Sequence, residues 1–313
     1  MNWENIDWKA LQRLRAAFLD GTAGAGDYWR NERDLESYDQ TFGQRISWKW
    51  DYVLTELKAR GWKPSQGVTV DWGCGSGIAA HAFLTHFGTE TVSKSVLWDR
   101  SPLAMKFAAR KIREAFPDMD IWLDQPPTGE FHTLLISHTL SELSDRAVDE
   151  LLALATNATS VIWVEPGTHD ASRRLIAIRE RLRSAFQVVS PCTHQSTCGM
   201  LVPRNGRHWC HHFASSPPHV FTDGHWARFA KLAGVDLRSL PVSFLVLDKR
   251  PQPTSPDLRV IGSPRVYKAH ASVLGCDSSG IREVRLTKRD QPEEFRRLKK
   301  GDIAVHMPLR PDV

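Results

Sequence analysis

The sequence predicts an α/β fold whose centre is a parallel sheet covered by helices. Three observations predict it. Short apolar runs alternate with helix-length segments from Val68 onward, a glycine-rich turn ends the first run, and an acidic residue ends the second.

Residues 1–65 read as a helical cap. Leu11, Leu14 and Phe18, then Trp50, Val53, Leu54 and Leu57, recur near the helical period, separated by a glycine-rich break at residues 21–27. Residues 66–250 carry the sheet. Val68-Thr69-Val70-Asp71 is its first strand and residues 78–87 the helix that follows. Ser95-Val96-Leu97-Trp98-Asp99, Met119-Asp120-Ile121-Trp122-Leu123, Leu134-Leu135-Ile136-Ser137 and Ser160-Val161-Ile162-Trp163-Val164-Glu165 supply four more strands. After a basic amphipathic helix at 172–186, residues 186–189 and 242–247 supply the last two. Residues 190–226, rich in Cys, His, Pro and Trp, read as an insertion, and Pro251-Gln252-Pro253-Thr254-Ser255-Pro256 as a linker. Beyond it, residues 258–313 read as a small basic β module with turns at 275–280 and 300–302.

With 313 residues the chain can hold one large domain and smaller attachments. No apolar run approaches the roughly 20 residues that a bilayer demands, so no membrane partner is expected. The first residues lack a basic and an apolar signal region, and Glu4, Asp7 and Asp20 argue against a transit peptide, so a cytoplasmic location is expected. Nothing in the sequence sets an oligomeric state.

The net charge of +5 is not spread evenly. Residues 259–300 hold 11 Lys or Arg against 5 Asp or Glu, a local excess of 6. Such a module suits a polyanion, most often nucleic acid. Arg282, Arg285, Lys288, Arg289, Arg296, Arg297, Lys299 and Lys300 are the candidate phosphate contacts. A solvated charged face is the bland alternative.

The turn Asp71-Trp72-Gly73-Cys74-Gly75-Ser76-Gly77 joins a strand to a helix, where glycines permit a tight turn and a close ligand approach. Its G-x-G-x-G spacing differs from the dinucleotide fingerprint, and no Lys-Ser/Thr follows as in a P-loop. Asp71 suits a cationic amino-acid ligand. Asp99, 22 residues after Gly77, can accept two ribose hydroxyls, and Asp124 after the third strand is placed for an adenine amino group. The pattern is that of a Rossmann-like class I methyltransferase sheet binding S-adenosylmethionine through Asp71, Gly73, Gly75, Gly77, Asp99 and Asp124. His138, after the fourth strand, is expected beside the cofactor's methionine end, with a general-base role as the alternative. No methyl acceptor can be named.

Cys192, Cys198 and Cys210 fall within 19 residues, and Cys276 lies in the C-terminal module. Six of the thirteen histidines lie between His194 and His225. Soft thiolates suit zinc or iron–sulfur centres, but the spacings C-x5-C and C-x11-C match neither ferredoxins nor zinc ribbons. Metal ligation and unliganded thiols both stay open on spacing, as does a nucleophilic Cys192.

Residues 71–77, Ser137-His138-Thr139-Leu140-Ser141-Glu142-Leu143, Val164-Glu165-Pro166-Gly167, the cysteines at 192 and 198, Trp209-Cys210-His211 and Cys276 occur in one order. In that order the chain, over residues 48–306, resembles the methyltransferase-like assembly factors of the small ribosomal subunit, namely the mitochondrial small-subunit-associated proteins and their bacterial relatives. It departs at Thr193 and Gly199, where prolines are expected. The resemblance implies a 4Fe-4S cluster on Cys192, Cys198, Cys210 and Cys276, with zinc as the fallback, and a partnership with small-subunit ribosomal RNA in assembly or translation. It implies cofactor binding with or without turnover. The alternative is an active methyltransferase for a small molecule or protein, with a structural zinc site.

Overall fold

The computed structural model describes residues 3–21, 24, 26–253, 257–301 and 306–307. Thr254-Ser255-Pro256 of the expected linker and Asp302 of the expected turn lie outside them. The first elements are α1 (Trp8–Leu19), α2 (Glu32–Tyr38), α3 (Gln44–Ala59), β1 (Gly67–Trp72), α4 (Ile78–Phe87), β2 (Val92–Trp98) and α5 (Pro102–Ala115). Then come β3 (Ile121–Leu123), β4 (Phe131–Ser137), α6 (Asp145–Ala155), β5 (Ala158–Pro166), α7 (His169–Leu182), β6 (Gln187–Ser190) and β7 (His212–Ala214). The chain continues through α8 (Gly224–Ala233), β8 (Leu240–Asp248), β9 (Leu258–Val266), β10 (His270–Asp277), β11 (Gly280–Thr287), α9 (Pro292–Lys299) and β12 (His306–Met307). Among the described residues no helix is long and apolar enough to cross a membrane.

The chain divides into two compact units, residues 1–165 with 214–240, and residues 166–213 with 241–313. In the first, parallel strands run in the order β3-β2-β1-β4-β5. This is the Rossmann-like α/β arrangement the sequence predicts. The chain moves outward from β1 to β3 and then returns to β1's other side with β4. A crevice therefore opens at the carboxyl ends of β1 and β4, the topological switch point. Val70, Leu97, Leu134, Leu135, Ile136, Val161 and Ile162 are fully or almost fully buried, as strands covered on both faces require.

The predicted cap helices form. Asp7 caps α1 by accepting from the N–H groups of Lys9 and Ala10 at 3.1 and 3.0 Å. Leu11 packs with Trp48, Trp226 and Phe229, and Leu14 with Trp29, Leu35 and Phe107. Between α2 and α3 the backbone forms a π-helical turn, Asp39–Gly43, which no periodicity announced.

In the second unit β6 pairs antiparallel with β8, and a separate sheet has the order β11-β10-β9-β12. The expected β module therefore exists, but it also contains a helix that was not expected. α9 begins at Pro292 and places Phe295 and Leu298 against Leu258, Val260, Ala271, Val273 and Leu286. Two apolar residues at i and i+3 in a charged octet are too few to show a helical stripe.

Candidate cofactor and thiol sites

The crevice over β1 and β4 contains a cavity of about 530 Å³. Its walls include Trp72, Gly73, Cys74, Gly75, Ser76, Trp98, Asp99, Ser137, His138 and Thr139, all at strand ends or in the turns that follow. Gly73, Gly75 and Gly77 have φ of 69°, 51° and 76°, the left-handed region that favours glycine. A Cβ on Gly77 would stand 2.9 Å from Ala108 Cβ, whereas one on Gly75 would meet no protein atom within 4 Å. Gly75 thus faces open space along the ligand's expected path.

Asp99 stitches the loop to the second strand. Its Oδ2 accepts from Gly75 N–H at 2.9 Å and its Oδ1 from Ser101 N–H at 2.9 Å. Burial raises its pKa, opposed by those two hydrogen bonds. Asp71 lies fully buried beneath the loop, its Oδ2 accepting from Ala80 N–H at 3.0 Å and its Oδ1 without a partner. Burial pushes the Asp71 carboxyl up to about 7. A group raised in the folded state stabilises below its unfolded pKa, and that contribution is lost as pH rises through the folded value. Relative to Asp71→Asn, the wild-type melting temperature should therefore fall between about pH 4 and about pH 7, as thermal melts in a pH series would show. A constant difference would contradict the burial of an ionisable carboxyl there.

The sequence reading named neither Tyr28 nor Lys49, and it gave no role to Glu142 or Glu165, which it quoted only within the segments after the fourth and fifth strands. Glu142 lines the cavity, pairs with Arg100 at 3.2 Å and is pushed up to about 7 by burial. Tyr28 lines it too and lies beneath the Arg100 guanidinium. Glu165 accepts from Thr139 N–H, Leu140 N–H and Trp163 Nε1–H at 3.0, 3.1 and 2.8 Å, so it sets the turn after β4. Lys49 reaches His138 Nε2 at 3.2 Å. His138 itself has φ 55°, uncommon for a residue with a Cβ, and its N–H donates to Val164 O at 2.8 Å. Asp124, by contrast, is exposed and accepts from the N–H of Gln125 at 2.7 Å; it is not among the cavity-lining residues. β3 ends at Leu123, so the carboxylate falls in the following turn.

In the second unit the four thiols are neighbours. Cys210 interacts electrostatically with Cys192, Cys198 and Cys276, Cys276 with Cys192 and Cys198, and Cys198 with Cys192. Cys192, Cys198 and Cys210 line one small cavity, and Cys210 packs against the cluster that holds Cys198 and Cys276. Burial pushes the Cys198 thiol up to about 11 and raises Cys210 and Cys276 as well. Cys198 and Cys276 pack with Ile176, Met200 and Ile261. Arg179 shapes the loop by donating to the carbonyls of His194 and Ser196 at 3.3 and 2.9 Å. Ser172 and Ser243 hydroxyls both donate to Cys210 O at 2.8 Å. At Gly199 a Cβ would lie 3.1 Å from Gly280 Cα, which accounts for glycine there. Among the described residues no three His, Cys, Asp or Glu side chains are grouped as one metal ion requires.

The candidate RNA contacts form two sets. Arg285 pairs in register with Ser272, on the sheet face opposite Leu286, and is exposed. Arg282 is partly buried and bonds Asp277 and Ser279. Arg296, Arg297, Lys299 and Lys300 are exposed on or just after α9, which covers the Leu286 face, while Lys288 and Arg289 are exposed between β11 and α9.

Several solved structures are similar to this chain. A putative RNA methyltransferase from Pyrococcus horikoshii is 11% identical, with 65% of this chain and 82% of that one covered at a TM-score of 0.39. An rRNA methylase from Escherichia coli is 12% identical, covering 78% of each chain at 0.40. Magnesium protoporphyrin IX methyltransferase from Synechocystis is 12% identical, covering 77% and 100% at 0.42. No curated protein matches. The model of the family described as mitochondrial small ribosomal subunit Rsm22 matches residues 50–304, and the chain belongs to that family.

Proposed function

We propose that the protein binds S-adenosylmethionine and acts, as a methyltransferase-like factor, on or with small-subunit ribosomal RNA during ribosome assembly or translation. The observation that carries the cofactor reading is the cavity over three left-handed glycines, with Asp99 tied to Gly75 at its edge. There Asp99 is placed to accept ribose hydroxyls, the exposed backbone of Gly75 to admit the nucleoside, and Glu142 to offset the ligand's positive charge. Bound S-adenosylmethionine would supply an electrophilic methyl group. The chain's own residues bind and orient it.

Cys192, Cys198, Cys210 and Cys276 fit a tetrathiolate centre, because all four are neighbours in an apolar setting. Four thiolates on a dicationic centre leave two negative charges. Arg179 and Arg259, each 2% exposed, place positive charge beside them, Arg179 near Cys192 and Cys198 and Arg259 near Cys210, with Arg179 also paired to Glu180. A zinc ion with bonds of about 2.3 Å would draw its sulfurs to about 3.8 Å apart. A 4Fe-4S cubane, whose irons each take one thiolate, needs no such close grouping, and among the described residues none is found. Such a centre would be structural, fixing the 192–198 loop to β10.

The ribosomal RNA part rests on the family and on the basic C-terminal sheet and α9. Affinity for small-subunit RNA should fall steeply with salt as neutralised phosphates release counterions. Reversing Arg296 and Arg297 to Glu should weaken it by at least about tenfold, similarly across RNA sequences. Filter binding over a salt series measures this; unchanged affinity would favour a methyltransferase for a small molecule or protein.

A further inference from the structure

The cavity is lined by carboxylates, and two cations of α3, Lys49 and Arg45, stand behind one of its lining residues, His138. Asp99, Glu142 and Glu150 line the cavity, and Asp71 lies under its loop. Arg100 is the only Lys or Arg among the lining residues, and it is engaged by Glu142 at 3.2 Å and by Gly24 O at 3.0 Å. His138 and Ile46 also line the cavity. Behind His138 stands Lys49, 7% exposed, and one helical turn earlier on α3 stands Arg45, whose Nε is buried without a partner.

Two like charges at i and i+4, one buried and the other half-buried, oppose folding. Among the described residues the Lys49 ammonium has no carboxylate in contact; its one side-chain partner is His138, and Glu165 acts only through space. Arg45 feels Asp236, which is itself held by Arg238 at 3.1 Å. An anion in the cavity beside His138 would offset both cations. The cofactor proposed above carries one anionic group, the α-carboxylate of its methionine portion, which is also the part farthest from the ribose.

We propose that Lys49, acting through His138 and beside Arg45, forms the corner that receives the cofactor's α-carboxylate. Lys49 is a positioning residue here. The charged ammonium has only donors, so His138 Nε2 then accepts from it and the ring proton sits on Nδ1, 3.4 Å from Ser137 Oγ. The left-handed backbone at His138 and its N–H bond to Val164 O hold the ring at the cavity wall. Burial, and then Arg45, push the Lys49 amine down to about 7, opposed by Glu165. A carboxylate nearby favours the charged amine, so ligand binding near neutral pH draws in a proton. The inference rests on the cofactor reading and adds which residues read the amino-acid end.

The test is equilibrium binding of two ligands to the full chain with its metal retained. S-adenosylhomocysteine has the amino-acid tail; 5′-methylthioadenosine keeps the nucleoside and thioether without it. Lys49→Met should weaken S-adenosylhomocysteine by at least about tenfold, the lower range for a hydrogen bond to a charged group. It should leave 5′-methylthioadenosine within about twofold by the same reasoning. Equal weakening of both ligands, or of neither, would overturn the proposal. Should the variant melt early, the wild-type protein decides: S-adenosyl-3-thiopropylamine, which lacks only the carboxylate, should bind at least about tenfold more weakly than S-adenosylhomocysteine. Equal affinity would reject the corner. Wild-type protein that binds none of these ligands rejects the cofactor reading itself, and the corner with it.

Discussion

Single Cys→Ser replacements at positions 192, 198, 210 and 276 are each expected to strip the protein of the proposed metal centre, whereas Cys74→Ser retains it. Cys74 is buried in the glycine loop of the other unit, so its sulfur is not part of that set. The wild-type protein, purified without oxygen or chelator, should be brown and contain iron and sulfide. The Cys276→Ser protein should be colourless and lose protease resistance in residues 241–313, since that thiol joins β10 to the 192–198 loop. Metal and sulfide analysis with limited proteolysis measures both. Zinc without sulfide would keep the four-thiol site and reject the cubane; neither metal would reject the site.

How much of this was legible in the sequence depends on whether a pattern marks it. The glycine loop was, because glycine alone adopts φ of 51–76° without a steric cost, and three alternate positions between a strand and a helix need it. Asp99 followed from its place at a strand end. Lys49 was not legible, and the roles of Glu142 and Glu165 were not, because a single charge reads as solvated until tertiary packing buries it. Asp124 was assigned from the same rule as Asp99, but a three-residue strand ends too soon to carry it into the cavity. The cysteines announced themselves by number and clustering. Cys276 was grouped with them although it lies 66 residues beyond Cys210; what the spacing did not show is that it arrives on β10 of the β10–β11 hairpin. The residues at 296–300 were read as phosphate contacts without the helix that presents them, because Phe295 and Leu298 alone show no period.

Gly75→Val is expected to abolish S-adenosylhomocysteine binding while leaving the fold intact. The two consequences separate because the new side chain meets no protein atom within 4 Å of its Cβ, yet projects where the ligand must approach. The backbone cost at φ 51° is about 1–3 kcal/mol, so melting should shift only moderately. By comparison Gly77→Val should damage folding, since its Cβ would press on Ala108 at 2.9 Å. Thermal melting beside ligand titration distinguishes them: binding by Gly75→Val at wild-type affinity would place the ligand elsewhere.

Calorimetric titration of S-adenosylhomocysteine into the wild-type protein, purified without oxygen or chelator, tests the central claim most directly. The cavity over β1 and β4 predicts saturable binding at one site per chain. A titration with no heat above dilution, repeated at a second temperature to exclude a chance enthalpy of zero, would contradict it.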